Sequence, residues 1–204
     1  MPRGIAMHGA RDQLFDAAER VLARDGPVGL TSRAVTEEAR VAKGLIYRYF
    51  PDLDEFLAEF IAARVRAAVA SVSGLPGRAG RGTVAGNLSE VLLALFGPGS
   101  HVPMTTGIVT SRPSLIPRVH RVLEDASGFG AIEGLLAAYI EAEQRLSRLA
   151  PSARPATEAA ILLGAVHHLV LTGQSAAPAF PGRVQEIVTA VIAGMAPAPA
   201  DPHR

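Results

Sequence analysis

A chain of 204 residues can bury a substantial core, and its abundant alanine, leucine and valine, with few aromatics and no tryptophan, suit packed helices better than a sandwich or barrel. The absence of cysteine excludes a disulfide framework and a thiolate metal site. A net charge of +1 does not by itself point to nucleic acid, so any such reading must rest on local arrangement.

Residues 1–10 read either as a mobile tail from which Arg3 and His8 could approach phosphates, or as a start without a role. Over residues 11–24, Leu14, Phe15, Ala18, Val21 and Leu22 recur at helical spacing, and Asp25-Gly26-Pro27 ends that helix. Thr31 or Ser32 can cap a short helix reaching about residue 39, because a hydroxyl there accepts a free N–H of the first turn. Arg40 and Val41 interrupt the pattern, and a second short helix is expected over about residues 42–50. Two short helices joined by a tight turn read as helix-turn-helix.

If Ile46, Tyr49 and Phe50 face the core, helical geometry turns Gly44, Leu45, Tyr47 and Arg48 outward. Lys43, the single lysine of the chain, stands in the first turn at the edge of that face, where it suits a phosphate contact. Pro51 stops the helix. Asp52 and Glu55 then form a capping box for a long helix over residues 53–72, with Phe56, Leu57, Phe60, Ile61, Val65 and Val69 on its buried side.

This stretch resembles the tetracycline-repressor (TetR) family of transcriptional regulators. The resemblance covers about residues 11–60 and rests on G-x-x-L-T from Gly26 to Thr31, A-x-V-A-K-G-x-I-Y-x-Y-F-P from Ala39 to Pro51, and Asp54-Glu55 before Phe56-Leu57. It implies an all-α fold with a DNA-binding domain at 1–52 and a helical regulatory and dimerisation domain at 53–204. It also implies backbone positioning by Thr31, Lys43 and Tyr47, groove contacts by Leu45 and Arg48, and further contacts by Arg33, Gly44 and Tyr49. Three positions depart from the family pattern. Arg40 replaces a common turn glycine, which would cost about 1 kcal/mol if the backbone there is left-handed. Leu45 replaces a hydroxylic residue and could touch a thymine methyl instead. Leu53 replaces a basic one.

Residues 73–83 have the glycine and proline density of an exposed linker. Helical patterns follow over 84–96, 115–126, 129–149, 156–175 and 182–195, with an irregular stretch from Gly97 to about Pro113 and breaks at Ser127-Gly128 and Pro151–Pro155. Pro117 is tolerated in a first turn. In the last helix Val184, Ile187, Val188, Val191 and Ile192 form a broad apolar stripe. That stripe fits either a family-type dimer seam or the core of a single chain. The tail after Met195 is too proline-rich to stay helical.

No catalytic motif has its required context, so an enzyme is not expected. His167 and His168 are adjacent, point about 100° apart on a helix and cannot easily share a metal. No metal or cofactor is implied. By the resemblance, a ligand pocket would draw on Leu92, Phe96, Met104, Phe129, Leu136, Tyr139, Ile140, His167 and His168, most of which could equally be ordinary core. With no signal-peptide core and no apolar run of membrane length, the chain reads as soluble and cytoplasmic. The expected partners are double-stranded operator DNA, a second copy of the chain and a small-molecule effector, with no membrane. The alternatives are a helical protein-interaction module without DNA binding, and an activator instead of a repressor.

Overall fold

The computed structural model describes residues 3–123 and 129–195, with their side chains over 9–123 and 130–195. All the regular elements among them are helical: α1 (Arg3–Asp25), α2 (Ser32–Glu38), α3 (Leu45–Tyr49), α4 (Leu53–Val72), α5 (Val84–Phe96), α6 (His101–Ser111), α7 (Ile116–Val122), α8 (Phe129–Arg145), α9 (Pro155–Leu171) and α10 (Phe180–Gly194). Short 3-10 turns occupy Pro27–Gly29, Leu75–Arg78, Pro113–Leu115 and Gln174–Ala176. Among the described residues no helix is long and apolar enough to cross a membrane.

The expected tail at residues 1–10 is instead helical from Arg3, as the start of α1. The side chains of Arg3 and His8, the chain after Met195 and the break at Ser127-Gly128 lie outside the described residues. The irregular stretch after Gly97 contains a helix that periodicity did not reveal. Pro103 is the third residue of α6, in the first turn, where its missing N–H is tolerated. Polar threonines blur the apolar stripe of this helix, and the Thr110 hydroxyl donates back to the Thr106 carbonyl at 2.9 Å. Prolines likewise stand at the first or second position of α7, α9 and α10.

The chain forms two compact units, one from Met1–Arg64 and Met104–Asp125, the other from Val65–Pro103 and Ala126–Arg204. The division falls within α4 and not at the boundary of residues 52 and 53. Packing explains why. Phe56 and Phe60 of α4 are fully buried and lie 5.6 and 5.7 Å from Phe15 of α1 between ring centroids, while Phe50 meets Phe56 edge-on at 5.1 Å. Without the first half of α4 the small domain would lose half of its aromatic centre.

In the second unit, apolar faces of α5, α8, α9 and α10 share one core, with Leu88, Leu92, Leu136, Ile140, Leu162, Val166, Val184 and Val188 all excluded from water. The expected exposed linker over 73–83 is bound to this core. Leu75 is buried, and three polar side chains hold the following loop. Asn87 donates to the Arg81 carbonyl (2.8 Å), Glu143 accepts from the Gly80 N–H (3.2 Å), and Arg148 donates to the Gly82 carbonyl (2.5 Å). Glycine and proline density gave the loop its shape, but the buried Asn87 and Glu143, with half-buried Arg148, keep it in place.

Candidate nucleic-acid interface

The helix-turn-helix is assembled by local bonds that the sequence encodes. The Thr31 hydroxyl accepts from the Ala34 N–H at 3.1 Å and caps α2, leaving its own O–H free to donate. At the other end of α2, Arg40 N–H bonds the Glu37 carbonyl and Val41 N–H the Thr36 carbonyl, with Arg40 left-handed at φ 55°. This pair of bonds is a Schellman motif. Gln13 of α1 donates to the Ala39 carbonyl at 2.9 Å and ties the turn to the domain. α3 is shorter than the expected 42–50, because Lys43 and Gly44 form a turn before it, closed by Leu45 N–H to the Ala42 carbonyl.

Ile46 and Phe50 point into the core and fix the roll of α3. Gly44, Tyr47 and Arg48 are consequently exposed, as are Thr31, Arg33 and Lys43, while Leu45 and Tyr49 are half-buried. Arg33 is paired with Glu37 one turn along (2.7 Å), so a phosphate would compete with that carboxylate. Tyr47 is 53% exposed, and its hydroxyl donates to the Ser32 hydroxyl at 3.0 Å, bracing α3 on α2. Sequence reasoning did not single out Ser32 for this role. A hydroxyl at the start of α2 reads as a cap, and the contact with Tyr47 exists only once the two helices cross. Behind the face, Asp52 caps α4 by accepting from the Glu55 N–H (2.7 Å) and also receives Arg118 (2.8 Å). The backbone N–H first, and Arg118 second, hold the Asp52 carboxyl below its usual range.

The second unit holds a cavity of about 370 Å³ lined by Phe96, Val102, Gly130, Ile132, Glu133, Ala160, Leu163, Gly164 and His167. Of the residues expected to line a pocket, Phe96 and His167 do so, with ring centroids 6.1 Å apart. Burial holds the His167 imidazole below its ordinary pKa. Leu92, Leu136, Tyr139 and Ile140 are instead fully buried in the packed core and are not among the lining residues. Tyr139 has its hydroxyl engaged, accepting from Asn87 (2.9 Å) and donating to Glu143. Burial first, then Glu143, push its pKa up to about 12. Met104 belongs to the other unit, His168 is exposed on the next face of α9, and the Phe129 side chain lies outside the described ones. The spacing Ala160, Leu163, Gly164, His167 could have disclosed the α9 wall, being one helical stripe. In α10, Val184 and Val188 are fully buried in the core of their own chain, whereas Ile187, Val191 and Ile192 are half-buried against it. The expected seam therefore cannot include Val184 or Val188, whose side chains already have intramolecular neighbours.

A sequence model described as bacterial regulatory proteins, tetR family, matches residues 14–60, the stretch from α1 to α4 that builds this head. Residues 14–60 carry the sequence signature of the tetR family of bacterial regulatory proteins. The chain is also 43% identical over 49 residues to an uncharacterized HTH-type transcriptional regulator of Haemophilus influenzae, an alignment covering 24% of this chain and 26% of that protein. The chain thus matches about a quarter of that relative's length. A candidate TetR-family transcriptional regulator from Mesorhizobium loti superposes with a TM-score of 0.71 at 16% identity, over 93% of this chain and 98% of the other. SmeT, the repressor of the Stenotrophomonas maltophilia multidrug efflux pump SmeDEF, does so at 0.65 and 16%, over 91% and 90%. These likenesses show a shared helical fold that extends past α4 through the C-terminal part.

Proposed function

We propose that this chain is a tetR-family transcriptional regulator, a homodimeric repressor that lays α3 of each subunit in successive major grooves of a near-palindromic operator. The observation that carries the reading is the rigid outward face of α3. Ile46 and Phe50 lock its orientation, and exposed Tyr47 and Arg48 project from the other side with Lys43 at its start. Arg48 and Leu45 read base edges, and Thr31, Lys43 and Tyr47 set the register on the phosphates, with Arg33, Gly44 and Tyr49 flanking them. Footprinting on the intergenic DNA beside its own coding sequence, followed by gel-shift titration at rising salt, tests it. Affinity must fall steeply with salt through counterion release. Binding that ignores salt, or protection nowhere on that DNA, would sink the proposal.

For the dimer, the exposed stripe of α9 is the support. Ile161 (47% exposed) and Leu171 (55%) are two of the few large apolar side chains open to water, and they flank Gly164 and His168 on one helical face. Together with Ile187, Val191 and Ile192 they supply an apolar surface that a second copy would cover. Ile161→Glu is expected to give a folded monomer with weakened operator binding, read by sedimentation; an unchanged dimer would move the seam elsewhere.

For the effector, the cavity walls favour a small, predominantly hydrophobic molecule, neutral or weakly charged, oriented by one or two hydrogen bonds to His167 or Glu133. Arg112, Arg118 and Arg121 are engaged by Asp54, Asp52 and Glu55, so a carboxylate ligand would have to compete with those acids. To induce, the molecule must prefer the DNA-incompetent conformation, and a tenfold shift needs about 1.4 kcal/mol of differential affinity. Matched apolar, anionic and cationic compounds compared by thermal shift and gel shift decide it. Release by polyanions alone would refute the assignment.

A further inference from the structure

Arg40 occupies a position where the backbone favours glycine. It is the left-handed residue closing α2, with φ 55°, and the bonds that define the turn, Arg40 N–H to Glu37 and Val41 N–H to Thr36, are backbone bonds that glycine would make equally well. An arginine there adds strain without adding a bond to the turn. The other described non-glycine residue with positive φ, Ser147, closes α8 in the same way, but there the next residue is Arg148, whose guanidinium reaches Glu143 and the Gly82 carbonyl. The strained turn at Ser147 thus delivers a side chain into an internal network. The turn at Arg40 delivers one into water.

The charge pattern of this unit sharpens the contrast. Every other described arginine of the unit except Arg48 has a carboxylate partner, including those on α1, α2, α4 and α7. Arg40, Lys43 and Arg48 are exposed and form no ion pair among the described residues. These three cations fall within nine consecutive residues that run through the turn and α3. Among the described residues of this unit, acidic side chains pair with the other arginines and spare this segment.

Building on the DNA-binding reading above, we propose that Arg40 is a DNA-contacting residue that grips a backbone phosphate from the turn between α2 and α3. Its guanidinium offers a planar fork of donors suited to phosphate oxygens, and no intramolecular carboxylate has to be displaced first. A phosphate contact positions the head without reading sequence, so Arg40 strengthens binding to all duplexes alike.

The test compares wild type, Arg40→Gly and Arg40→Lys in full-length protein. Binding to a random-sequence duplex and to the footprinted operator is followed by fluorescence anisotropy between about 50 and 200 mM salt, and melting is followed by circular dichroism. Arg40→Gly is expected to melt no lower than wild type, because the turn loses its strain, yet to bind both duplexes more weakly by a common factor. Its log–log salt slope should be shallower by about 0.9 per bound protomer, so that over this salt range the deficit narrows about 3.5-fold per contact. Arg40→Lys should retain the wild-type slope. Wild-type affinity and slope in Arg40→Gly would overturn the proposal, as would a loss confined to the operator or one that tracks a lowered melting temperature. Failure of the wild type to bind either duplex would instead remove the DNA-binding reading itself, and this proposal with it.

Discussion

In the unit that carries the helix-turn-helix, Arg118 meets Asp52 and Arg121 meets Glu55 at the surface, Arg20 and Arg24 share Glu38, and the interior is aromatic and aliphatic, centred on Phe15, Phe50, Phe56 and Phe60. In the other unit, Glu143 is wholly buried, receives Arg148 at 3.0 Å and the Gly80 N–H, and accepts from a Tyr139 that is itself fully buried. Both are helical, yet the ion pairs of the first keep some access to water, whereas the second encloses one carboxylate completely. The difference matters because exposed pairs contribute little, whereas a buried charge stripped of its partner is strongly destabilising. It also suits the proposed roles: surface pairing leaves a chosen face cationic for DNA, while buried pairing fastens a loop between α4 and α5.

The largest effect should come from Arg148→Ala, which leaves Glu143 buried without its cation and is expected to lower stability by about 3–5 kcal/mol in chemical denaturation. A loss below 1 kcal/mol would mean that water reaches the carboxylate and the contrast between the units is false. Next comes Tyr139→Phe, which removes one donor to Glu143 and the acceptor for Asn87. It should cost about 1–3 kcal/mol while DNA binding by the folded fraction is unchanged.

A pH titration gives a third, smaller contrast. Burial depresses the His167 pKa in the folded chain, so the unfolded chain binds protons first as pH falls below about 6.5. Stability due to the neutral imidazole is therefore complete above that pH and lost as pH drops through the folded value. Thermal melts from pH 7.5 to 5.5 should fall more steeply for wild type than for His167→Gln; identical profiles would show that the imidazole is solvated. Arg118→Ala is expected to have the smallest effect, hardly distinguishable from wild type, since Asp52 keeps its helix-capping bond to Glu55 and sits in water. A loss as large as that of Arg148→Ala would erase the distinction between surface and buried pairing.

The helix-turn-helix was legible because its instructions are local. The Thr31 cap, the Pro51 stop, the Asp52 cap and the alternation of Ile46 and Phe50 with Tyr47 and Arg48 each act within one or two turns, and the structure has them in those roles. The same holds for α4 and α5, whose ends coincide with the predicted ones at Leu53–Val72 and Val84–Phe96. What the sequence left open depends on partners far along the chain. Only the tertiary structure decided that Arg112, Arg118 and Arg121 meet the acids of α4 some sixty residues earlier, that Tyr139 joins a buried polar network instead of lining a cavity, and that Val184 and Val188 are core of their own chain. An apolar stripe records that a face is buried but not what covers it, because burial is non-directional. A hydrogen-bonded cap, by contrast, is directional and short-ranged, and its partner is written a few residues away.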